Sequence, residues 1–163
     1  MSARNTRLLR AVIGPRPASP APAVSEDDGE ADRAARLEPL AFDHFWLSDT
    51  PTVVGSKTWG PTLPRMVTWV KFRDCQTKQE FIFVNTHFDH QVQVAREKSA
   101  RLVRERVDAL HTTLPVILTG DFNAAAGKNK AYEILTQDGF LTDTWQTARE
   151  RQGEGIGTFN SFK

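Results

Sequence analysis

Two short polar clusters contain the side chains in this sequence that are best suited to chemistry. The first ends an apolar run and supplies an amide, a carboxylate and two imidazoles: Asn85, His87, Asp89 and His90. The second also follows an apolar run and reads Gly120-Asp121-Phe122-Asn123. The Asp121 carboxylate could hold a water molecule or a metal ion, and the Asn123 amide could orient that water or a phosphate oxygen. Taken alone, Asp and Asn so placed more often cap a turn, and a single histidine at a strand end more often packs.

The elements that must position these clusters follow from apolar periodicity. Alternation over residues 65–72 predicts a strand, and residues 80–87 are predicted to return as the second strand of a hairpin. Helical spacing predicts a helix over 92–111, followed by a short buried strand at 116–119. Strand, helix and strand in this order form a crossover unit, which makes the two strands parallel neighbours. Both clusters are therefore expected at one edge of a sheet.

Composition divides the 163 residues into two parts. Every aromatic residue lies after Ala41, and prolines are concentrated at 15–22, so residues 1–41 are predicted to be a disordered Pro/Ala/Arg-rich tail and 42–163 the domain. The net charge of +1 lacks the positive excess that nonspecific binding to nucleic acid or anionic membranes requires. The single cysteine, Cys75, excludes an internal disulfide. With no apolar run of membrane-spanning length and no evident signal peptide, a cytoplasmic location is favoured.

Several segments together resemble a known family. FWLSDTP (45–51), NTHFDH (85–90) and GDFNA (120–124), with Arg96 between the last two and Asp143 after them, resemble the endonuclease/exonuclease/phosphatase superfamily. The resemblance is strongest to a bacterial branch of unassigned substrate. It implies an α/β (α+β) fold, specifically part of a four-layer sandwich in which mixed β-sheets are flanked by helices.

The resemblance also implies a function and a set of site residues. It implies a phosphoester hydrolase, acting on diesters or monoesters, that depends on Mg²⁺ or Mn²⁺. Asp121 would activate or position the attacking water, Asn123 would orient the water and the phosphate, and His87 would hydrogen-bond the phosphoryl oxygen. Asp121 and Asn123 are the candidate metal ligands. Three residues would support the site: Asn85, Arg96 as a structural ion-pair partner for Asp89 or a loop, and Asp143; His90 has no assigned role.

The sequence also departs from the family. An early Asn-bearing strand, a Gln-Glu pair whose Glu binds the metal, and a closing Ser-Asp-His are not found, so the domain is predicted to be truncated and its activity lost or uncertain. The alternative is a non-catalytic remnant that binds a phosphate or a protein. A more remote one is a metallo-β-lactamase-like zinc hydrolase, because residues 85–90 resemble HxHxDH with Asn85 in place of the first His. An incomplete sandwich of this family would leave an apolar sheet face exposed, through which the chain is expected to self-associate.

Overall fold

One mixed sheet organises the molecule. The computed structural model describes residues 36–152 and the backbone of residues 11–13. Its strands are β1 (Ala11–Ile13), β2 (Leu37–Trp46), β3 (Met66–Asp74), β4 (Glu80–His87) and β5 (Val116–Asp121). Its helices are α1 (Gln93–Asp108), α2 (Lys130–Thr136) and α3 (Thr144–Thr147), with a 3₁₀ turn at Gln137–Gly139. The strand order is β1-β5-β4-β3-β2; β4 and β5 are parallel, whereas the other neighbours pair antiparallel.

The predicted hairpin and crossover are confirmed. β3 and β4 pair from Val67 with Thr86 to Arg73 with Glu80, and the Asp74 carboxylate accepts the N–H groups of Gln76 and Thr77 in the turn between them. The crossover helix α1 is shorter than the predicted 92–111, because the N–H groups of Leu110 and His111 bond to the carbonyls three residues earlier in a tighter final turn. The implied arrangement of a mixed sheet flanked by helices is also confirmed.

The start of the folded domain differs from the prediction. β2 begins at Leu37, inside the segment that composition assigned to the tail, and β1 lies there as well. β2 is an edge strand with mostly exposed side chains, so its own sequence carries little apolar alternation. Its position comes from pairing with β3 and from the Arg36–Asp74 ion pair at 3.0 Å. The other residues of the predicted tail lie outside the described part of the chain.

The two faces of the sheet have different surroundings. On one face, alternate residues of the strands pack against α1 and α2 in a single apolar core. The core residues include Val67 of β3, Ile82 and Val84 of β4, and Val116 and Leu118 of β5. Since successive side chains of a strand point to opposite faces, the remaining apolar residues of these strands lie on the other side of the sheet.

That second side, here called the open face, contributes no side chain to the apolar core formed by the described residues. Its apolar residues include Phe42, Trp46, Met66, Val70, Phe72, Phe81, Phe83 and Ile117. None of them is fully buried, and Phe42 is 77% exposed. The described residues therefore include a partly exposed apolar sheet face, and the self-association expected through it stays a prediction.

None of the helices in the described residues combines the length and apolar character needed to cross a membrane.

Because Gly120 has no side chain, β4 and β5 can approach each other closely at this position. A Cβ at this position would overlap the backbone carbonyl of Thr86, and its φ of +145° disfavours any other residue. We expect Gly120→Ala to lower the free energy of unfolding by about 3 kcal/mol or more, the upper end of overpacking costs, because a backbone carbonyl cannot move aside.

Gly127→Ala is the matched control. Gly127 also has a positive φ, +71°, but a Cβ there meets no atom within 4 Å. We expect it to cost only about 1–2 kcal/mol, the penalty of the left-handed conformation. Urea unfolding of both variants measures the difference, and equal losses would show that the contact with Thr86 is unimportant.

Candidate active site

Strand register places His87 beside Asp121. The two residues are direct partners in the β4–β5 ladder, and strand alternation puts both side chains on the open face. His87 Nε2 lies 3.8 Å from Asp121 Oδ2, which is too long for a hydrogen bond. Both groups are close to half exposed, so they are accessible from solvent and not committed to each other.

The Gly-Asp-Phe-Asn segment forms the turn that such sequences commonly form. Asp121 Oδ1 accepts the backbone N–H of Asn123 at 2.9 Å, and Asn123 has a φ of +46°. This is the Asx turn that the sequence left open as an alternative. It uses one carboxylate oxygen only, and the other is the one that faces His87. Turn formation and chemistry are therefore compatible at Asp121.

The two polar clusters are joined by direct bonds. The Phe88 N–H donates to the Asp121 carbonyl at 2.8 Å, and Asn123 Nδ2 donates to the Phe88 carbonyl at 3.0 Å. Beneath them the fully buried rings of Phe88 and Phe122 meet edge to face, with centroids 5.2 Å apart. The amide nitrogen of Asn123 is thus used in the fold, and its Oδ1 is the side-chain atom left to contact a water, a phosphate or a metal.

The surroundings of His87 favour its neutral form. Burial lowers its pKa below the usual value of 6.5, and the positive charge of Arg65 lowers it further. The Asp121 carboxylate acts in the opposite direction but does not outweigh these two causes. At neutral pH His87 therefore has one ring N–H to donate and one lone pair to accept.

The residues implied to support the site have defined contacts. Asn85 lies on the open face, where its Oδ1 accepts from the Thr119 hydroxyl at 3.2 Å. Asp143 is buried; it accepts from the Tyr132 hydroxyl at 2.9 Å and from the Trp145 N–H at the start of α3. These contacts stabilise the neighbouring backbone, and no described bond joins Asp143 to the pair His87 and Asp121.

Arg96 contacts the loop after β4, one of the two structural partners that were expected for it. Its Nη1 donates to the backbone carbonyl of Asp89 at 2.8 Å, and its other nitrogens bond the Gln93 amide. It therefore fixes the loop that follows β4. The Asp89 carboxylate lies 3.9 Å from Arg65.

Arg65 is the site residue that the sequence did not identify. It immediately precedes β3, and its guanidinium lies among His90, Asp89 and His87. The short run around it, PTLPR, is rich in turn residues and gives no indication of this role. The only sequence signal is its position directly before a strand that pairs with β4.

The described side chains do not by themselves complete a metal site. Asp121 and Asn123 offer the oxygen ligands that Mg²⁺ and Mn²⁺ prefer. Yet residues 36–152 contain no group of three or more His, Cys, Asp or Glu side chains that could hold an ion. The donor atoms are therefore of the right type, but their number is insufficient without further ligands.

Comparison with known proteins decides the family. Residues 33–161 match the model of the endonuclease/exonuclease/phosphatase family. The chain belongs to this family. The metallo-β-lactamase alternative is accordingly dropped. A search of curated proteins found no match.

Solved structures of the endonuclease/exonuclease/phosphatase family agree. A family protein from Bacteroides thetaiotaomicron is 39% identical over 68% of this chain, with a TM-score of 0.65. A mannosyl-6-phosphatase from the same organism is 38% identical over 69%, and a family protein from Bacteroides vulgatus 36% over 71%, both with a TM-score of 0.65. The chain spans 40%, 42% and 44% of the lengths of these three relatives.

The electrostatics of the site predict how His87 titrates. In an NMR titration we expect the His87 ring to titrate below pH 6.5, and the pKa to fall further in Asp121→Asn, because the carboxylate favours the imidazolium. Asp138→Asn removes a carboxylate that is paired with Arg104 instead, and it should leave the His87 titration unchanged. A rise of the pKa in Asp121→Asn would contradict this description of the site.

Proposed function

We propose that this chain carries part of the active site of a divalent-metal-dependent phosphoester hydrolase. One observation carries the proposal: His87 and Asp121 face each other at 3.8 Å on one sheet edge, with Asn123 bonded to the same turns, in a chain of this family. The gap between the two side chains leaves both able to contact a substrate.

Each of the three residues has a role that its contacts allow. Asp121 uses Oδ1 in the turn, so Oδ2 is the oxygen that would orient the attacking water and accept its proton. Neutral His87 would donate its ring N–H to a phosphoryl oxygen as negative charge develops. Asn123 would contact the water or the phosphate through Oδ1. The hydrogen bonds of the two turns hold Asp121 and Asn123 in place before substrate arrives, and strand pairing places His87 beside them.

A bound Mg²⁺ or Mn²⁺ would supply charge neutralisation at the phosphoryl oxygens. Enzymes of this family generally depend on divalent metals, which supports the proposal. From this chain the oxygens of Asp121 and Asn123 would contribute to its binding, and the remaining ligands would come from beyond the described residues.

A phosphate monoester of a sugar is the substrate class to test first. The similarity to a mannosyl-6-phosphatase, at 38% identity, supports it. The near-neutral net charge of +1 gives no support for a long polyanion. A phosphodiester is the natural comparison substrate, because the two classes differ in the charge of the reacting phosphate.

The activity test uses the whole chain with Mg²⁺ or Mn²⁺ and both substrate classes. We expect metal-dependent turnover that falls by about 10²–10⁴-fold in His87→Ala and in Asp121→Ala, the usual contribution of a positioned acid or base. Lys130→Ala, at an exposed ion pair on α2, is the control and should retain full activity. Equal rates in all variants would rule out these roles.

The outcome would also test the alternative of a non-catalytic phosphate-binding remnant, which the incomplete metal ligand set favours. Phosphate binding that depends on His87, without turnover under any metal condition, would establish that alternative in place of the hydrolase.

We further propose that the open face mediates self-association with a second copy of the chain. None of the apolar residues on it is fully buried and Phe42 is 77% exposed, and contiguous apolar surface of this kind is typical of interaction sites. Both copies would offer the same sheet surface, so a two-fold arrangement would cover both at once.

Phe42 provides the test of self-association. We expect Phe42→Ser to weaken the concentration-dependent association seen by sedimentation, because Phe42 is the most exposed apolar residue of the open face at 77%. Val54→Ser is the matched control, since Val54 is 82% exposed and lies between β2 and β3, outside the strands that form that face. If the wild-type chain sediments as a monomer at all concentrations, the proposal is wrong.

A further inference from the structure

The contact between Arg65 and His90 restricts which ring nitrogen of His90 can carry a proton. Arg65 Nη2 lies 3.1 Å from His90 Nδ1, within hydrogen-bond distance. The two residues are 25 positions apart in the chain, and the pairing of β3 with β4 brings them together. The proposed mechanism assigns roles to His87, Asp121 and Asn123 and none to His90.

Proton counting fixes the direction of this bond. A guanidinium has only N–H groups and stays protonated in proteins, so Arg65 can only donate. His90 Nδ1 must therefore accept with its lone pair and carry no proton. A neutral imidazole has one ring proton, which leaves that proton on Nε2.

Arg65 cannot readily turn away from His90. Its carbonyl accepts the Leu47 N–H at 2.7 Å, and its side chain is only 12% exposed. Its Nε faces Asp89 Oδ2 at 3.9 Å, and neither of these buried atoms has a hydrogen-bond partner within the described residues. Moving the guanidinium would leave a buried carboxylate without its opposite charge.

Asp89 is equally fixed on its other side. Its Oδ1 accepts the N–H groups of Gln91 at 2.9 Å and Val92 at 2.6 Å, at the entrance to α1. Asp89 thus holds Arg65 in position, and Arg65 in turn determines which nitrogen of His90 bears the proton. His90 also lies near enough to His87 to influence its charge, so this arrangement adjoins the candidate active site.

We propose that Arg65 is a positioning residue that keeps His90 as an Nε2–H donor, so that His90 binds an oxygen of the substrate and does not bind a metal. A metal ligand needs a free lone pair, and a ligating histidine usually donates its other N–H to an acceptor. In His90 the other nitrogen, Nδ1, faces the Arg65 guanidinium, which can only donate. The identity of the acceptor as a phosphate or hydroxyl oxygen rests on the proposed function, whereas the position of the proton does not.

The proton position can be measured by NMR on the full chain labelled with ¹⁵N-histidine at pH 7. In the wild type we expect one tautomer of His90, with an unprotonated, hydrogen-bonded Nδ1. In Arg65→Gln we expect the ring nitrogen shifts to move towards those of exchanging tautomers, and in Arg65→Lys, which keeps a pure donor, to stay close to the wild type. Arg36→Gln removes an arginine paired with Asp74, and should change nothing at His90.

The wild-type spectrum alone can overturn the inference, even if Arg65→Gln does not fold. A proton on His90 Nδ1, as the single proton or in addition to one on Nε2, would contradict it. So would an unchanged His90 spectrum in folded Arg65→Gln.

Two titrations separate the metal and substrate parts of the inference. Added Zn²⁺ should leave the His90 Nε2–H signal in place, and its loss on Zn²⁺ binding would show that His90 is a metal ligand after all. Added inorganic phosphate should shift that signal, and no shift would refute the substrate contact. Absence of turnover with an intact Nε2–H tautomer would count against the proposed hydrolase and leave the role of Arg65 standing.

Discussion

The parallel pairing of β4 with β5 is the contact on which the site depends. It requires a residue without a side chain at position 120, because the Thr86 carbonyl occupies the space of a Cβ there. Once the strands are this close, His87 and Asp121 become ladder partners. The bonds of Phe88 with Asp121 and Asn123 then close the edge. A small shift between these strands would separate all the groups that could act on a phosphate.

A second layer of contacts sets the charges at this edge. Arg65 directly precedes β3. Its positive charge lies 3.9 Å from the buried Asp89 carboxylate and near two histidines. Its charge favours neutral His87 and its N–H groups fix the proton of His90. One arginine thus influences two imidazoles that are more than twenty positions away from it in the sequence. Arg96 holds the backbone of the same loop, so side chains from two different elements restrain it.

The sequence predicted those features whose cause is local or periodic. The alternation of β3 and β4, the crossover helix and the meeting of His87 with Asp121 all follow from patterns within short windows, and the family assignment follows from the motifs. The start of β2 could not be predicted, because this segment is held as a strand by pairing with β3 and by the ion pair of Arg36 with Asp74. The role of Arg65 could not be predicted either, since it arises only after two loops distant in sequence are brought together. Even Asn123, implied as catalytic, turned out to need its amide nitrogen for the fold.

The organisation of the sheet explains how part of a family domain can already assemble these groups. The core lies between the sheet and the helices, and the parallel register of β4 and β5 makes His87 and Asp121 ladder partners. Hydrogen bonds among Phe88, Asp121 and Asn123 join the two turns that follow these strands. The described side chains near this edge offer little net positive charge for a phosphoryl group, because burial favours the neutral form of His87 and the Asp89 carboxylate offsets the charge of Arg65. This part of the domain thus supplies positioning and hydrogen bonding, and in the proposed hydrolase a metal ion with additional ligands would supply charge neutralisation.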